Sequence, residues 1–343
     1  MNPEMNPMIN KEDRIDIRQP FPLNTEPVYR SERKVTERDH QIAQIFWIPS
    51  CAEDLIDFFL TPDDQKLILE KGNQPFSKED LDPERLKDLF HRGIISKADE
   101  EGNTWKLSNF YGMLDVFAVS ETRKYRSLPR EKRREIDDWY FDSYARSLDR
   151  DLRHRPTQDR ILTRDEMLAF LDQEDRQLYL NYCDCKSLSG DCGLPSHTCI
   201  SFTAGTNSFQ ERGLSMPITK EQAKDIIIQA DQAGLVHTLS AHGICNCCDD
   251  CCYLFRAQRV RKSVGFWPAS EHIVSFDPHR CINCGLCMKR CHFGVFTRKK
   301  DQKTVSMDNR TCEGCGLCVN TCPGHALSLK QRRPEEIHIN EAV

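Results

Sequence analysis

Cysteine carries most of the chemistry in this chain, and its spacing is regular. One run reads Cys281-Ile-Asn-Cys284-Gly-Leu-Cys287-Met-Lys-Arg-Cys291, and a second reads Cys312-Glu-Gly-Cys315-Gly-Leu-Cys318-Val-Asn-Thr-Cys322-Pro323. Both are C-x2-C-x2-C-x3-C, the thiolate spacing that holds cubane iron–sulfur clusters. Each iron of a cubane needs one ligand from outside. Three thiolates separated by two residues wrap one corner in a tight loop, and the fourth arrives from elsewhere. Zinc is the alternative, but a zinc tetrahedron is built from two separated pairs of cysteines, and two runs of four fit that poorly. The chemistry expected is therefore electron transfer. Gly285, Gly314 and Gly316 suit loops whose backbone must approach a cluster with unusual dihedrals.

Residues 275–333 resemble the bacterial two-cluster ferredoxins. The resemblance implies that Cys281, Cys284, Cys287 and Cys322 hold one [4Fe–4S] cluster. It implies that Cys312, Cys315, Cys318 and Cys291 hold the other, each fourth ligand crossing from the opposite repeat. His292 departs from the pattern, since ferredoxins usually have proline there, and this leaves the local loop geometry open. Between the repeats, Val295-Phe296-Thr297 and Thr304-Val305-Ser306 flank a polar stretch, 298–303, and read as a β-hairpin.

Nine more cysteines lie between residues 183 and 252. Cys183, Cys185, Cys192 and Cys199 form C-x-C-x6-C-x6-C. The second group is Cys245-Asn246-Cys247-Cys248-Asp249-Asp250-Cys251-Cys252, in which Cys245, Cys248 and Cys251 repeat the C-x2-C-x2-C spacing. Two assignments stay open: one cubane per group with a thiol left over, or a single shared site with the extra thiols buried and inert. The candidate metal ligands are Cys183, Cys185, Cys192, Cys199, Cys245, Cys248, Cys251 and Cys252. They would serve one or two further [4Fe–4S] clusters, or zinc at the first four. Adjacent thiols cannot easily all face one metal. Residues 165–330 resemble a cysteine-rich segment found before ferredoxin modules in iron–sulfur proteins of anaerobic bacteria. The matching residues are Asn181-Tyr182-Cys183-Asp184-Cys185, Asp191-Cys192-Gly193, Cys199-Ile200-Ser201-Phe202, Gly234-Leu235-Val236-His237 and Ile244-Cys245-Asn246-Cys247-Cys248. That family usually has another cysteine where Asp250 stands. The resemblance implies electron transfer, often within a larger redox complex. His237 and His242 read as packing or hydrogen-bonding residues rather than ligands.

These thiols need elements to position them. Thr219 and Gln222 form a capping box, Ala223, Ile226, Ile227 and Ala230 follow at helical spacing, and Gly234 closes the helix. A short strand, Leu235-Val236-His237, comes next, and this unit reads as the scaffold joining the two cysteine groups. Residues 1–38 hold five prolines and many charges and read as an extended arm. Residues 39–120 read as a small helical domain with a wing. Helices fit Ala52–Leu60, Asp63–Lys71 and Arg85–Phe90, and Ile94–Lys97 and Thr104–Leu107 flank a hairpin signal at 100–103. The pattern resembles a winged helix. Its candidate reading helix, 83–92, mixes Glu84 and Asp88 with Arg85, Lys87 and Arg92, and the wing carries Asp99, Glu100 and Glu101. Phosphate contact wants a basic face, so docking to protein rather than nucleic acid is expected. Residues 123–134 are strongly basic and precede Trp139, Tyr140, Phe141 and Tyr144. They read as a linker and an amphipathic helix on a partner, ahead of a stacking platform for single-stranded nucleic acid.

At 343 residues, two or three domains are expected. The fold class is α+β. A winged-helix-like docking domain (39–120) and a basic, aromatic helical linker (121–164) precede a small Cys-rich α/β domain (165–272). A ferredoxin-like two-cluster module (273–333) and a tail (334–343) follow. The N-terminus has no basic n-region or apolar h-region, and no apolar run is long enough to span a bilayer. A cytoplasmic protein is expected, its 18 cysteines serving metal rather than disulfides. Net charge is −5, but residues 275–333 hold eleven Lys and Arg against four Asp and Glu. That module reads equally as a docking surface for an acidic partner or as a solvated face. No G-x-G-x-x-G, P-loop or H-E-x-x-H is present. The function expected is an iron–sulfur electron-transfer subunit in a hetero-oligomer, between a donor and a catalytic subunit. The alternatives are a catalytic iron–sulfur enzyme with an open cluster site at 245–252, and a redox-sensing DNA-binding regulator.

Overall fold

The structure, a computed structural model, describes residues 9, 12–18, 33–149, 151, 154–190, 192–202, 205–298 and 304–337. Most of the expected arm, the end of the tail, Asp191 and part of the polar stretch between the C-terminal repeats lie outside the described residues.

Three capped helices start the N-terminal part. Thr36 and Thr61 form capping boxes with Asp39 and Asp64 at the heads of Glu37–Phe46 and Pro62–Lys71. Asp82 caps Pro83–His91. The helix expected over Ala52–Leu60 is instead a 3-10 turn, Ser50–Leu55, and a single α-turn, Ile56–Phe59. Pro62 restricts Thr61 before it to extended backbone, and the chain leaves the helical state at Leu60. Ile95–Lys97 and Thr104–Leu107 pair antiparallel, and Phe76–Ser77 adds on the far side of the second strand. Helices Phe110–Ser120, Thr122–Arg126 and Arg130–Ser147 follow. The aromatic residues after the basic stretch turn inward: Tyr140 is buried and stacks on Tyr111 with centroids 4.1 Å apart. They complete one core with Phe46, Ile56, Phe59, Phe110 and Leu114.

The middle of the chain folds around a seven-stranded sheet. Its order is Ala269–Ser270, Arg160–Leu162, Val236–Leu239, Gly243–Cys247, His197–Ser201, Leu178–Tyr182 and Met216–Ile218. The first pairing is parallel and the rest are antiparallel. Arg160–Leu162, at the end of the stretch read as a linker, belongs to this sheet. Helices Arg164–Gln173 and Lys220–Ala233 cover one face, each headed by a capping box, and the second is closed by Gly234 at φ 95°. Met167, Leu171, Ile226 and Ala230 pack on Leu180, Ile200 and Ile244. Ile200 and Ile244 are directly opposed across their strands. Side chains alternate along a strand, so Cys199, Cys245 and Cys247 share the other face. Strand pairing, not sequence proximity, brings the two cysteine groups together.

The C-terminal part repeats itself with an offset of 31 residues. His272–Phe276 pairs with Leu327–Gln331, and Phe296–Thr297 pairs with Ser306–Met307. The short helices Leu286–Arg290 and Leu317–Asn320 start at Gly285 and Gly316, both left-handed. Asn283 and Gly314, and likewise Gly294 and His325, are further equivalent pairs with positive φ.

Candidate metal centres

The C-terminal module offers two sets of thiols. Cys312, Cys315 and Cys318 of the second run line one small enclosed cavity, and Cys291 of the first run joins them. Val274, Val295, Phe296, Leu317 and Leu329 close its walls. Burial pushes the Cys312, Cys315 and Cys318 thiols upward, and Cys291 acts on all three in the same sense. The backbone N–H groups of Val274 and Gly314 both donate to Cys312 Sγ at 3.4 Å. In the first run, Asn283 N–H donates to Cys281 Sγ at 3.4 Å, the same contact one repeat earlier. Cys284 is exposed, and Cys281 and Cys284 both act on Cys287. Gly324 presses on Arg280, where an added Cβ would stand 2.6 Å from the carbonyl oxygen. This contact carries the Cys322 segment against the start of the first run. Ala326 N–H donates to Cys322 Sγ at 3.3 Å. Sulfur-directed N–H groups in positive-φ turns fit an anionic iron–sulfur group.

His292, which stands where ferredoxins usually have proline, is a docking residue. Its Nε2 lies 2.7 Å from Gly234 O, at the end of the helix Lys220–Ala233. Arg290 donates to Gln232 O at 2.8 Å and also reaches Asp231 O. That helix has no basic residue in its own last turn. Arg290 supplies the cation that its terminal carbonyls favour.

The nine middle cysteines sort differently from their order in sequence. Six close into a ring through neighbouring S–H···S contacts: Cys183, Cys185, Cys252, Cys247, Cys245, Cys199 and back to Cys183. Cys252 and Cys247 are 3.3 Å apart. The hydrogen bonds pull Cys183, Cys252 and Cys245 down and push Cys185, Cys247 and Cys199 up, in alternation round the ring. The other three, Cys192, Cys248 and Cys251, contact one another. Cys192 is therefore apart from Cys183, Cys185 and Cys199, so one site per sequence group is not what the geometry gives. Adjacent thiols do not face one metal. Cys247 and Cys248 point to different sets, and so do Cys251 and Cys252. Cys247 is a ring member that the spacing argument left out. The signal for it was Cys245-x-Cys247, two residues apart on a strand and hence on one face.

The ring opens on a cavity of about 380 Å3. Its opposite wall comes from the N-terminal helices: Tyr111, Asp115, Tyr140 and Tyr144, joined by Tyr253. Burial raises Tyr111 to about 12 and Asp115 to about 7. Lys186, 2% exposed, donates from Nζ to Asn246 O at 2.6 Å. Burial alone would lower it, but the sulfurs of Cys183, Cys199, Cys248 and Cys247 hold it protonated. It is a buried cation set among both thiol groups. His237 bonds through Nδ1 to Asn246 Oδ1 at 2.6 Å, on the sheet face opposite the cysteines. His242 is exposed. One apolar cluster joins the ring to the C-terminal module: Cys247, Cys252, Val236, Phe255 and Leu317, with Cys315 at its edge.

The winged-helix-like surface, expected to dock protein rather than nucleic acid, is partly occupied by the chain itself. Arg212, 6% exposed, donates to Phe90 O and to Ile95 O and stacks 4.4 Å above the Phe90 ring. Asn207 Oδ1 accepts from Lys97 N–H at 2.7 Å, and Arg92 is held by Asp64 and Asp88.

A family model described as "4Fe-4S dicluster domain" matches residues 273–323. No curated protein and no solved structure shows a significant match. With the cysteine groups above, the match makes this an iron–sulfur protein with an electron-transfer role, whose C-terminal module is built for [4Fe–4S] clusters. Helix and strand are mixed, as an α+β chain requires. Among the described residues no helix is long and apolar enough to cross a membrane.

Proposed function

We propose that this chain is an electron-transfer subunit of a larger oxidoreductase, carrying electrons between a donor protein and a catalytic partner. The observation that carries the reading is a graded line of thiol sets. Cys284 lies exposed in the first run, Cys312 and Cys318 are buried, and the shared apolar cluster leads from Cys315 to Cys247 and Cys252 of the ring. Iron–sulfur groups held there supply one-electron storage and exchange. Their ligands in this reading are Cys281, Cys284, Cys287 and Cys322; then Cys312, Cys315, Cys318 and Cys291; then members of the six-cysteine ring. The chain's part is to set potentials. The N–H donors on Cys281, Cys312 and Cys322, and the Lys186 cation, favour added negative charge. The exposed edge at Ile282 and Cys284 is the natural landing point for the donor.

The decisive variant is Cys315→Ala, in anaerobically purified full-length protein. It should lose about four irons and four sulfides per chain, together with one of the EPR signals of the reduced protein. A variant keeping its full iron content would refute the Cys315 assignment, and colourless wild-type protein without acid-labile sulfide would refute the whole reading. The cavity between the ring and the tyrosines favours a second reading, in which a small substrate binds beside the ring. A substrate-induced change in the ring's EPR signal on the isolated chain would select it.

A further inference from the structure

Cys192, Cys248 and Cys251 stand apart from the ring and differ from it in shape. Their three sulfurs and a carboxylate oxygen of Asp250 all lie within 4.8 Å of one another. Tetrahedral zinc with arms of about 2.3 Å places its sulfurs about 3.8 Å apart, and its carboxylate ligands bind at about 2.0–2.2 Å. Four ligand atoms in so small a space fit a single ion. A cubane does not suit them, because each of its thiolates binds a different iron at a separate corner, which spreads the sulfurs apart. The ring shows the contrast. Two of its sulfurs, Cys183 and Cys185, form a compact group with Asp184, yet among the described residues no three of its sulfurs do. The C-terminal cysteines form none either.

We propose that Cys192, Cys248, Cys251 and Asp250 bind one tetrahedral zinc ion, separate from the iron–sulfur groups. Three soft thiolates select zinc over magnesium or calcium, and Asp250 completes the tetrahedron. The surroundings fit this closed, structural role. Cys248 and Cys251 are 1% and 3% exposed, while Asp250 lies at the surface and accepts from Cys251 N–H at 2.9 Å through Oδ1. Leu194 N–H donates to Cys192 Sγ at 3.4 Å, and Ser189 bonds Cys251. Lys186 offsets the negative charge of the site from the ring side. The ion would pin the loop after helix Asp184–Leu188 to the turn between Gly243–Cys247 and Tyr253–Arg261. Cys247 and Cys252 sit in or beside that turn. Zinc would thus fasten this turn without exchanging electrons itself.

The inference deepens the electron-transfer reading, and its test separates the two. Full-length protein is purified anaerobically, and zinc, iron and acid-labile sulfide are measured in the same sample, with zinc-edge X-ray absorption. The expected result is one zinc per chain with three sulfurs at about 2.3 Å and one oxygen at about 2.0–2.2 Å. Cys192→Ser should lose the zinc while iron and sulfide hold at the wild-type level. Asp250→Cys, which keeps a ligand at the position and guards against simple misfolding, should keep the zinc and convert its shell to four sulfurs. Wild-type protein without zinc, or a Cys192→Ser chain that loses iron and sulfide instead, would overturn the zinc assignment. An Asp250→Cys shell still at three sulfurs would remove Asp250 as the fourth ligand. Absence of iron with zinc present would instead strike the electron-transfer reading alone.

Discussion

Gly314 shows how little freedom a ligand loop has at the scale of one residue. Its φ is +66°, and an added Cβ would stand 2.1 Å from His272 O and 2.6 Å from Ser270 Oγ. Gly314→Ala must displace either the strand His272–Phe276 or the Cys312–Cys315 loop. It should cost about four irons and four sulfides per chain, measured on anaerobically purified protein. Gly193→Ala is the control. Its φ is +67°, but nothing lies within 4 Å of the new Cβ, so only a backbone penalty of about 1–2 kcal/mol is expected. Asp64 shows the same economy in charge. It is 1% exposed and accepts two hydrogen bonds of 2.8 Å from Arg92. Burial alone would raise its pKa, but the Arg92 bonds take it below the usual carboxylate value. The folded pKa is depressed, so this stabilisation is present above the unfolded value of about 4 and is lost as pH falls through the folded one. Asp64→Asn should therefore lower the unfolding free energy at pH 7 by about 1–3 kcal/mol, read from denaturant titration. The difference from wild type should shrink as pH falls below about 4.

At the scale of elements, the segment 205–214 seals the N-terminal hairpin. Arg212 fills the carbonyls of Phe90 and Ile95 from across the chain. Arg212→Leu leaves Phe90 O only its bond from Gly93 N–H and strands Ile95 O, at a cost of about 1–3 kcal/mol. Hydrogen exchange at residues 90–108 should rise, while the iron content stays as in wild type. Unchanged exchange there would show that this contact does not hold the two parts together. Such contacts were not legible in the sequence, and the reason is physical. The helix Lys220–Ala233 was readable because its cap, its apolar stripe and its closing glycine are all local. So was the hairpin at 95–107. The seven-stranded sheet was not. Its strands are two to five residues long, too short to show alternation, and it pairs Arg160–Leu162 with Val236–Leu239 and His197–Ser201 with Gly243–Cys247. The C-terminal cysteine runs announced themselves because their loops are local too. The middle nine did not, because ring and triad are sorted by cross-strand register and by one turn after Cys247. The tyrosines of the cavity looked like a partner-facing helix for the same reason: their partner is this chain's own Cys-rich half.

For the whole molecule, the C-terminal module is docked rather than tethered. Arg290 and His292 cap the helix Lys220–Ala233, Asn320 reaches Asp231 at 3.0 Å, and Gln258 holds Glu313 at 2.5 Å. The double change Arg290→Ala with His292→Ala should leave the iron content intact and lower stability by about 1–3 kcal/mol. In stopped-flow reduction through an external protein donor, the ring's signal should lag behind the module's, and an unaltered rate would show that docking is not needed for the relay. The interleaving of the middle cysteines has a consequence for how such a chain can change over generations. Neighbouring residues serve opposite centres at Cys247 and Cys248 and again at Cys251 and Cys252. Losing one residue from the turn between those pairs would shift Cys252 into the place of Cys251 and leave the ring one thiolate short. Substitutions there can accumulate one at a time, but insertions and deletions cannot. The length of this three-residue step, from Cys248 to Cys251, should be the least negotiable measurement in the protein.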